Sequence, residues 1–68
     1  MSVARVTEII SKSSKSFDDA LNNGIERANK SLRNVKSVWI KDQSVELKKN
    51  GKIDSYSVAL KVTFVLED

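Results

Sequence analysis

From Lys36 to the end, the chain reads as one long β-hairpin, and this feature limits what the remaining residues can build. From Tyr56 onward the alternation is clean: Tyr56, Val58, Leu60, Val62, Phe64 and Leu66 share one face, and Ser55, Ser57, Ala59, Lys61, Thr63 and Val65 share the other. Asn50-Gly51 is the favoured pair for a two-residue type I′ turn, which needs positive φ at both positions. The sequence offers a single helix, Ser16 to about Asn34, and one helix covers only one face of a small sheet. The second face therefore needs a partner from outside the chain.

The strand before the turn changes its apolar parity partway along. Val45 and Leu47 are odd-numbered, whereas Val38 and Ile40 are even-numbered. Pairing across Asn50-Gly51 sets Val45 beside Tyr56 on the helix side. The same register carried back would bury Lys41 and expose Ile40. A β-bulge within Lys41 to Ser44 repairs the conflict, because one extra residue flips the face. Val38 and Ile40 then join the core, and Ser37 and Trp39 turn outward with Ser57, Ala59 and Lys61. The only tryptophan thus stands over a floor of small residues, a shape suited to a planar ligand or a packed neighbour.

Upstream, Val3 to Ile10 is rich in β-branched residues and reads as a first strand. Ser11 to Ser16 is too polar to be buried and serves as a connection. Ser16 is placed as a helix N-cap, with Asp18 and Asp19 where the helix dipole favours negative charge. Phe17, Ala20, Leu21, Ile25, Ala28 and Leu32 form one apolar stripe. Gly24 lies in that stripe, where close approach of the helix to the sheet would offset its propensity cost of up to ~1 kcal/mol. Asn22, Asn23, Glu26, Asn29, Lys30 and Arg33 face water.

A chain of 68 residues forms one domain, residues 1–68, and a marginal one. Folds of this size are usually reinforced by disulfides, a metal or oligomerisation. With neither Cys nor His, disulfides and the usual zinc constellations drop out, which leaves self-association. No acid, base and nucleophile stand in a pattern that suggests catalysis, so an enzyme is not expected. Twelve basic residues against nine acidic ones are scattered rather than gathered in the stripe that nucleic-acid binding requires. No apolar run approaches the ~20 residues of a membrane span, so the expectation is a soluble cytoplasmic protein.

The order, spacing and content of several segments resemble the dodecins over nearly the whole chain. The carriers are Arg5-Val6-Thr7-Glu8-Ile9, Ser16-Phe17-Asp18-Asp19-Ala20, Ile25-Glu26-Arg27-Ala28, Leu32-Arg33-Asn34-Val35, Ser55-Tyr56-Ser57-Val58 and the terminal Lys61 to Asp68. The resemblance implies an α+β fold of β-α-β-β order, with a three-stranded antiparallel sheet partly wrapped around one helix. It also implies a hollow homododecamer. Flavin-binding members hold paired flavins between subunits, stacked on a tryptophan, for storage or protection rather than turnover.

Three positions depart from the flavin-binding pattern. The family's stacking Trp comes about three residues after the Asn that closes the helix, which is Ser37 here. Trp39 lies two residues further on, on the same face but shifted by about 6–7 Å. The family's flavin-contacting Gln corresponds to Ser57, and an Arg found in the terminal Phe-x-Leu-Glu of members that grip phosphorylated ligands corresponds to Val65. Ser37, Trp39 and Ser57 are the candidate ligand-binding residues, for riboflavin or FMN. The alternative is the same hollow assembly without flavin, holding calcium or a nucleotide-containing cofactor, or purely structural. Glu8, Asp42, Glu46, Glu67 and Asp68 could supply oxygen ligands to a hard cation, although no loop has the spaced carboxylates of an EF-hand.

Overall fold

The computed structural model describes residues 3–66, in the order β1 (Val3–Ser13), α1 (Phe17–Ser31), β2 (Val35–Leu47) and β3 (Ile53–Leu66). Glu67 and Asp68 lie outside the described residues. The strands form one antiparallel sheet in the order β1-β3-β2, as expected for a β-α-β-β chain. Because β1 and β2 both run antiparallel to β3, they run parallel to each other. Such strands need a crossover of a dozen or more residues, and α1 supplies it. The gap the crossover leaves is then filled by β3.

β1 runs three residues beyond the expected Ile10, through the segment read as a polar connection. The polarity of Ser13 does not exclude it from the interior, because its hydroxyl is fully used. It donates to Asp19 Oδ2 at 2.5 Å and accepts from the Lys15 backbone N–H at 2.9 Å. Ser16 caps α1 with extended backbone, its Oγ accepting from Asp19 N–H at 3.0 Å. The helix ends at Ser31 rather than Asn34. Leu32 donates its N–H back to the Ala28 carbonyl at 2.8 Å, and Asn34, at φ 59°, turns the chain into β2. Asparagine is one of the few side chains that tolerate this left-handed region.

The hairpin register holds Val45 opposite Tyr56, and the bulge expected at Lys41 to Ser44 lies between Ile40 and Asp42. The turn itself differs from the two-residue I′ form. Gly51 N–H donates to the Lys48 carbonyl, Lys48 N–H donates to the Lys52 carbonyl, and only Gly51 (φ 86°), not Asn50, has positive φ. This is a three-residue loop with glycine in the left-handed position, a common alternative hairpin geometry. Asn50 stays at negative φ while its side chain accepts from Lys52 N–H at 3.0 Å. A second irregularity between Glu46 and Leu47 compensates for the altered loop, so Val45 and Tyr56 still meet.

The core sits between α1 and the β1–β3 half of the sheet. Ala20, Ala28, Val58, Leu60 and Val62 are buried, with Ile9, Phe17, Leu21, Leu32, Val35 and Val38 packed around them. Gly24 is also buried, and the helix approaches so closely there that an added Cβ would lie 2.7 Å from Leu60 Cδ1. The Phe17 ring meets Tyr56 edge-on, with centroids 5.1 Å apart. Ile40 does not enter this core. It shares the helix side with Leu60, but α1 lies over β1 and β3 more than over β2, and Ile40 remains 50% exposed.

The reason is length. Fifteen helical residues span about 22 Å, whereas a fourteen-residue strand spans roughly 46 Å. Val45, Leu47 and Ile53, at the turn end of the hairpin, therefore lie beyond the helix on its own side of the sheet and are exposed. Among the described residues, no helix is long and apolar enough to cross a membrane.

A candidate ligand-binding face

The face of the sheet opposite α1 is set by strict alternation. β1 contributes Val6, Glu8, Ile10 and Lys12, and β3 contributes Ser57, Ala59, Lys61 and Thr63. From β2 come Ser37 and Trp39 before the bulge, and Asp42, Ser44 and Glu46 after it. In register these form rows across the sheet: Val6–Thr63–Ser37, Glu8–Lys61–Trp39, Ile10–Ala59–Asp42 and Lys12–Ser57–Ser44. Among the described residues, no other element covers them. Trp39 is 72% exposed, Ile10 70% and Val6 54%. Three large apolar side chains on one open face are the natural seat of a ligand or a neighbouring subunit.

Ser37, Trp39 and Ser57 all lie on this face, as the parity argument requires, but only two of them are neighbours. Ser37 precedes Trp39 by one β-repeat on the same strand. Ser57 is in the row of Lys12 and Ser44, four residues along β3 from Lys61, the partner of Trp39. At about 3.3 Å per residue the separation is roughly 13 Å. Within one protomer, Ser57 and Trp39 therefore cannot touch the same edge of a ring.

Sequence reasoning missed what covers the small-residue floor. Lys41 Nζ donates to Glu8 Oε1 at 3.2 Å, and Lys12 forms an ion pair with Glu46. Both pairs join the two outer strands, crossing above β3 near Ala59 and Ser57. Central residues this small are what allow long side chains from β1 and β2 to meet. The signal was available: opposite charges on strands that flank a Ser-x-Ala segment. With side chains about half exposed, each pair contributes no more than about 1 kcal/mol. Their stronger consequence is positional, since they engage Lys12, Lys41, Glu8 and Glu46, while Trp39, at the far end of the Glu8 row, takes part in neither.

Among the described residues, no three His, Cys, Asp or Glu side chains gather as a metal-binding group. Glu8 and Glu46 are held by lysines, which separates them from Asp42 as cation ligands. A separate open cleft of about 290 Å³ lies at the helix C-terminal end, lined by Arg33, Asn34, Phe64, Val65 and Leu66. It includes Val65, where the family's phosphate-gripping Arg would stand. Asn34 is tied into its wall, accepting from Val65 N–H at 3.1 Å and donating to the Val65 carbonyl at 3.5 Å.

The dodecin family model matches residues 3–67. Among solved structures, the dodecin from Streptomyces davaonensis is 33% identical, with 98% of this chain and 97% of that one covered and a TM-score of 0.91. A Thermus thermophilus dodecin variant is 26% identical over the full length of both chains, also at a TM-score of 0.91. A Mycobacterium tuberculosis calcium dodecin, described as calcium chelating with a novel calcium-binding site, is 28% identical over 96% of this chain and 91% of that one, with a TM-score of 0.83. No curated protein matches. A family match across residues 3–67, on a strand–helix–hairpin chain that superposes on dodecins end to end, establishes that the protein belongs to the dodecin family.

Proposed function

We propose that this single-domain chain assembles into a cytoplasmic homododecamer that binds and stores flavin, riboflavin or FMN, between its subunits without catalysing a reaction. The observation that carries the reading is Trp39, a flat indole 72% exposed on a face that no other element covers among the described residues. Stacking on an aromatic ring adds about 0.5–1.5 kcal/mol beyond the area buried, which makes Trp39 the platform. Ser37, one repeat away on β2, lines the same side. Ser57 reaches the ring only from a second protomer, because in its own it lies roughly 13 Å along the sheet. The residues present thus fit a planar ligand sandwiched between subunits better than one held by a single chain.

Self-association has independent physical support. Nine large hydrophobic residues are exposed among those described, whereas only Leu60, Val58 and Val62 are fully buried large side chains. A core that small does not stabilise 68 residues well alone. The similarity to a calcium dodecin favours a second reading, a cation-holding assembly. Its ligands would have to come from several subunits, since no acidic group of three forms within the described residues of one.

Native mass spectrometry of freshly purified protein, alone and with excess riboflavin or FMN, tests the proposal. Twelve copies of the 7.6 kDa chain, 12 × 7.6, give about 91 kDa. That mass with discrete flavin adducts is expected. The same mass without adducts would discard the flavin role, and a monomer or dimer would discard the dodecamer.

A further inference from the structure

The outer face holds three lysines, and the two ion pairs divide them unequally. Lys41 is committed to Glu8 and Lys12 to Glu46, both through carboxylates on the opposite edge strand. Lys61 forms no ion pair among the described residues, although Glu8 is its register partner on β1. On its other side, Lys61 is the register partner of Trp39. Directly opposed residues on one face have Cβ atoms about 4.5–5.5 Å apart. The ammonium group, on a four-carbon stem, can therefore reach the rim of anything stacked on the indole. Its side chain is half-buried on the central strand, so its charge is screened less than that of a lysine at a loop tip.

We infer that Lys61 is a specificity residue of the Trp39 site and selects a planar ligand carrying an anionic tail, so that FMN is preferred to riboflavin. This inference rests on the reading of Trp39 as the flavin platform and adds to it the charge of the ligand. The two flavins share one ring system and differ at the end of the side chain, where FMN has a phosphate and riboflavin a hydroxyl. Ring stacking is common to both and cannot separate them. A cation beside the platform can. The acidic groups facing this row are Glu8, held by Lys41, and Asp42, in the next row along β2. Across the two rows Lys41 and Lys61 balance Glu8 and Asp42, but within the row of the indole Glu8 is drawn to Lys41, which leaves Lys61 as the cation opposite Trp39.

The test is fluorescence titration of the assembled protein with FMN and with riboflavin, at low and high salt, for the native chain, Lys61→Gln and Trp39→Phe. The native protein should bind FMN about fivefold more tightly at low salt, the size of a partly screened ion pair of roughly 1 kcal/mol. The preference should shrink as salt rises, while riboflavin affinity stays level. Lys61→Gln should bring the two affinities together, and Trp39→Phe should weaken both alike. Equal affinities in the native protein, or a preference that survives Lys61→Gln, would overturn the role of Lys61 and leave the platform intact. Loss of binding of both flavins by the native protein would overturn the platform itself, and the inference with it.

Discussion

Replacing Gly24 by alanine sets two effects of known sign against each other. Alanine in a helix interior is favoured over glycine by about 1 kcal/mol, through backbone entropy lost on folding. At Gly24, however, the added Cβ would stand 2.7 Å from Leu60 Cδ1 and 3.2 Å from Ser11 Cβ. The first distance is shorter than real Cβ contacts, so something must move. A methyl at the end of a side chain can often rotate away. Leu60 has no open space to rotate into, because it is 1% exposed between Val58 and Val62, which are both fully buried. Overpacking of this kind costs about 1–3 kcal/mol. Subtracting the propensity gain leaves a net destabilisation of about 1 kcal/mol.

Urea unfolding followed by far-ultraviolet circular dichroism would measure the difference, at one fixed protein concentration because the proposed assembly is linked to folding. Asn29→Ala is the control. It lies on the exposed side of α1 and should gain several tenths of a kcal/mol from propensity alone. Gly24→Ala should fall below the native protein while Asn29→Ala rises above it. If both variants gained stability to the same extent, Leu60 would have yielded freely, and the close helix–sheet approach would not explain the glycine.

Ser16→Ala removes the acceptor of the Asp19 N–H and should cost about 1 kcal/mol in the same urea assay, while Ser16→Asp should restore most of it. Trp39→Glu places a carboxylate on the exposed apolar face, and native mass spectrometry should show species smaller than the proposed dodecamer. An intact particle with this variant would mean that Trp39 lines a tolerant cavity rather than a packed interface.

Most of the fold was legible because the constraints on it are local and periodic. The alternation of β3, the apolar stripe of α1 and the cap at Ser16 each follow from spacing, and the parity conflict between Val38–Ile40 and Val45–Leu47 located the bulge. What escaped depended on contacts between distant segments. Ser13 reads as a loop residue until Asp19 arrives to accept from its hydroxyl. Asn50-Gly51 allows two turn geometries, and backbone bonds from Lys48 decide between them. Ile40 has the right parity for the core, but α1 lies over β1 and β3 more than over β2 and reaches Val35 and Val38 without covering Ile40. The candidate face was legible in its membership, not in its arrangement. Parity places Ser37, Trp39 and Ser57 together on one side, but only the pairing register shows that Ser57 is a separate row.

The displacement of the tryptophan acquires a physical meaning from those rows. At Ser37, the position that corresponds to the family's platform, a ring would share its row with Thr63 and Val6, a hydroxyl and an aliphatic side chain. Two residues on, period-two geometry preserves the face while changing the company: Trp39 shares its row with Lys61 and Glu8. The bulge after Ile40 places Lys41 where it can draw the Glu8 carboxylate toward itself, which leaves the lysine beside the indole as the nearest charge. A shift of one repeat along a single strand thus moves the proposed platform from a row without charged side chains to one that holds Lys61, without altering the fold. Relocating the tryptophan back by the double variant Ser37→Trp, Trp39→Val should therefore retain riboflavin binding and abolish the preference for FMN. A preference that persisted there would place the phosphate contact elsewhere, with Arg33 at the Val65 cleft one alternative.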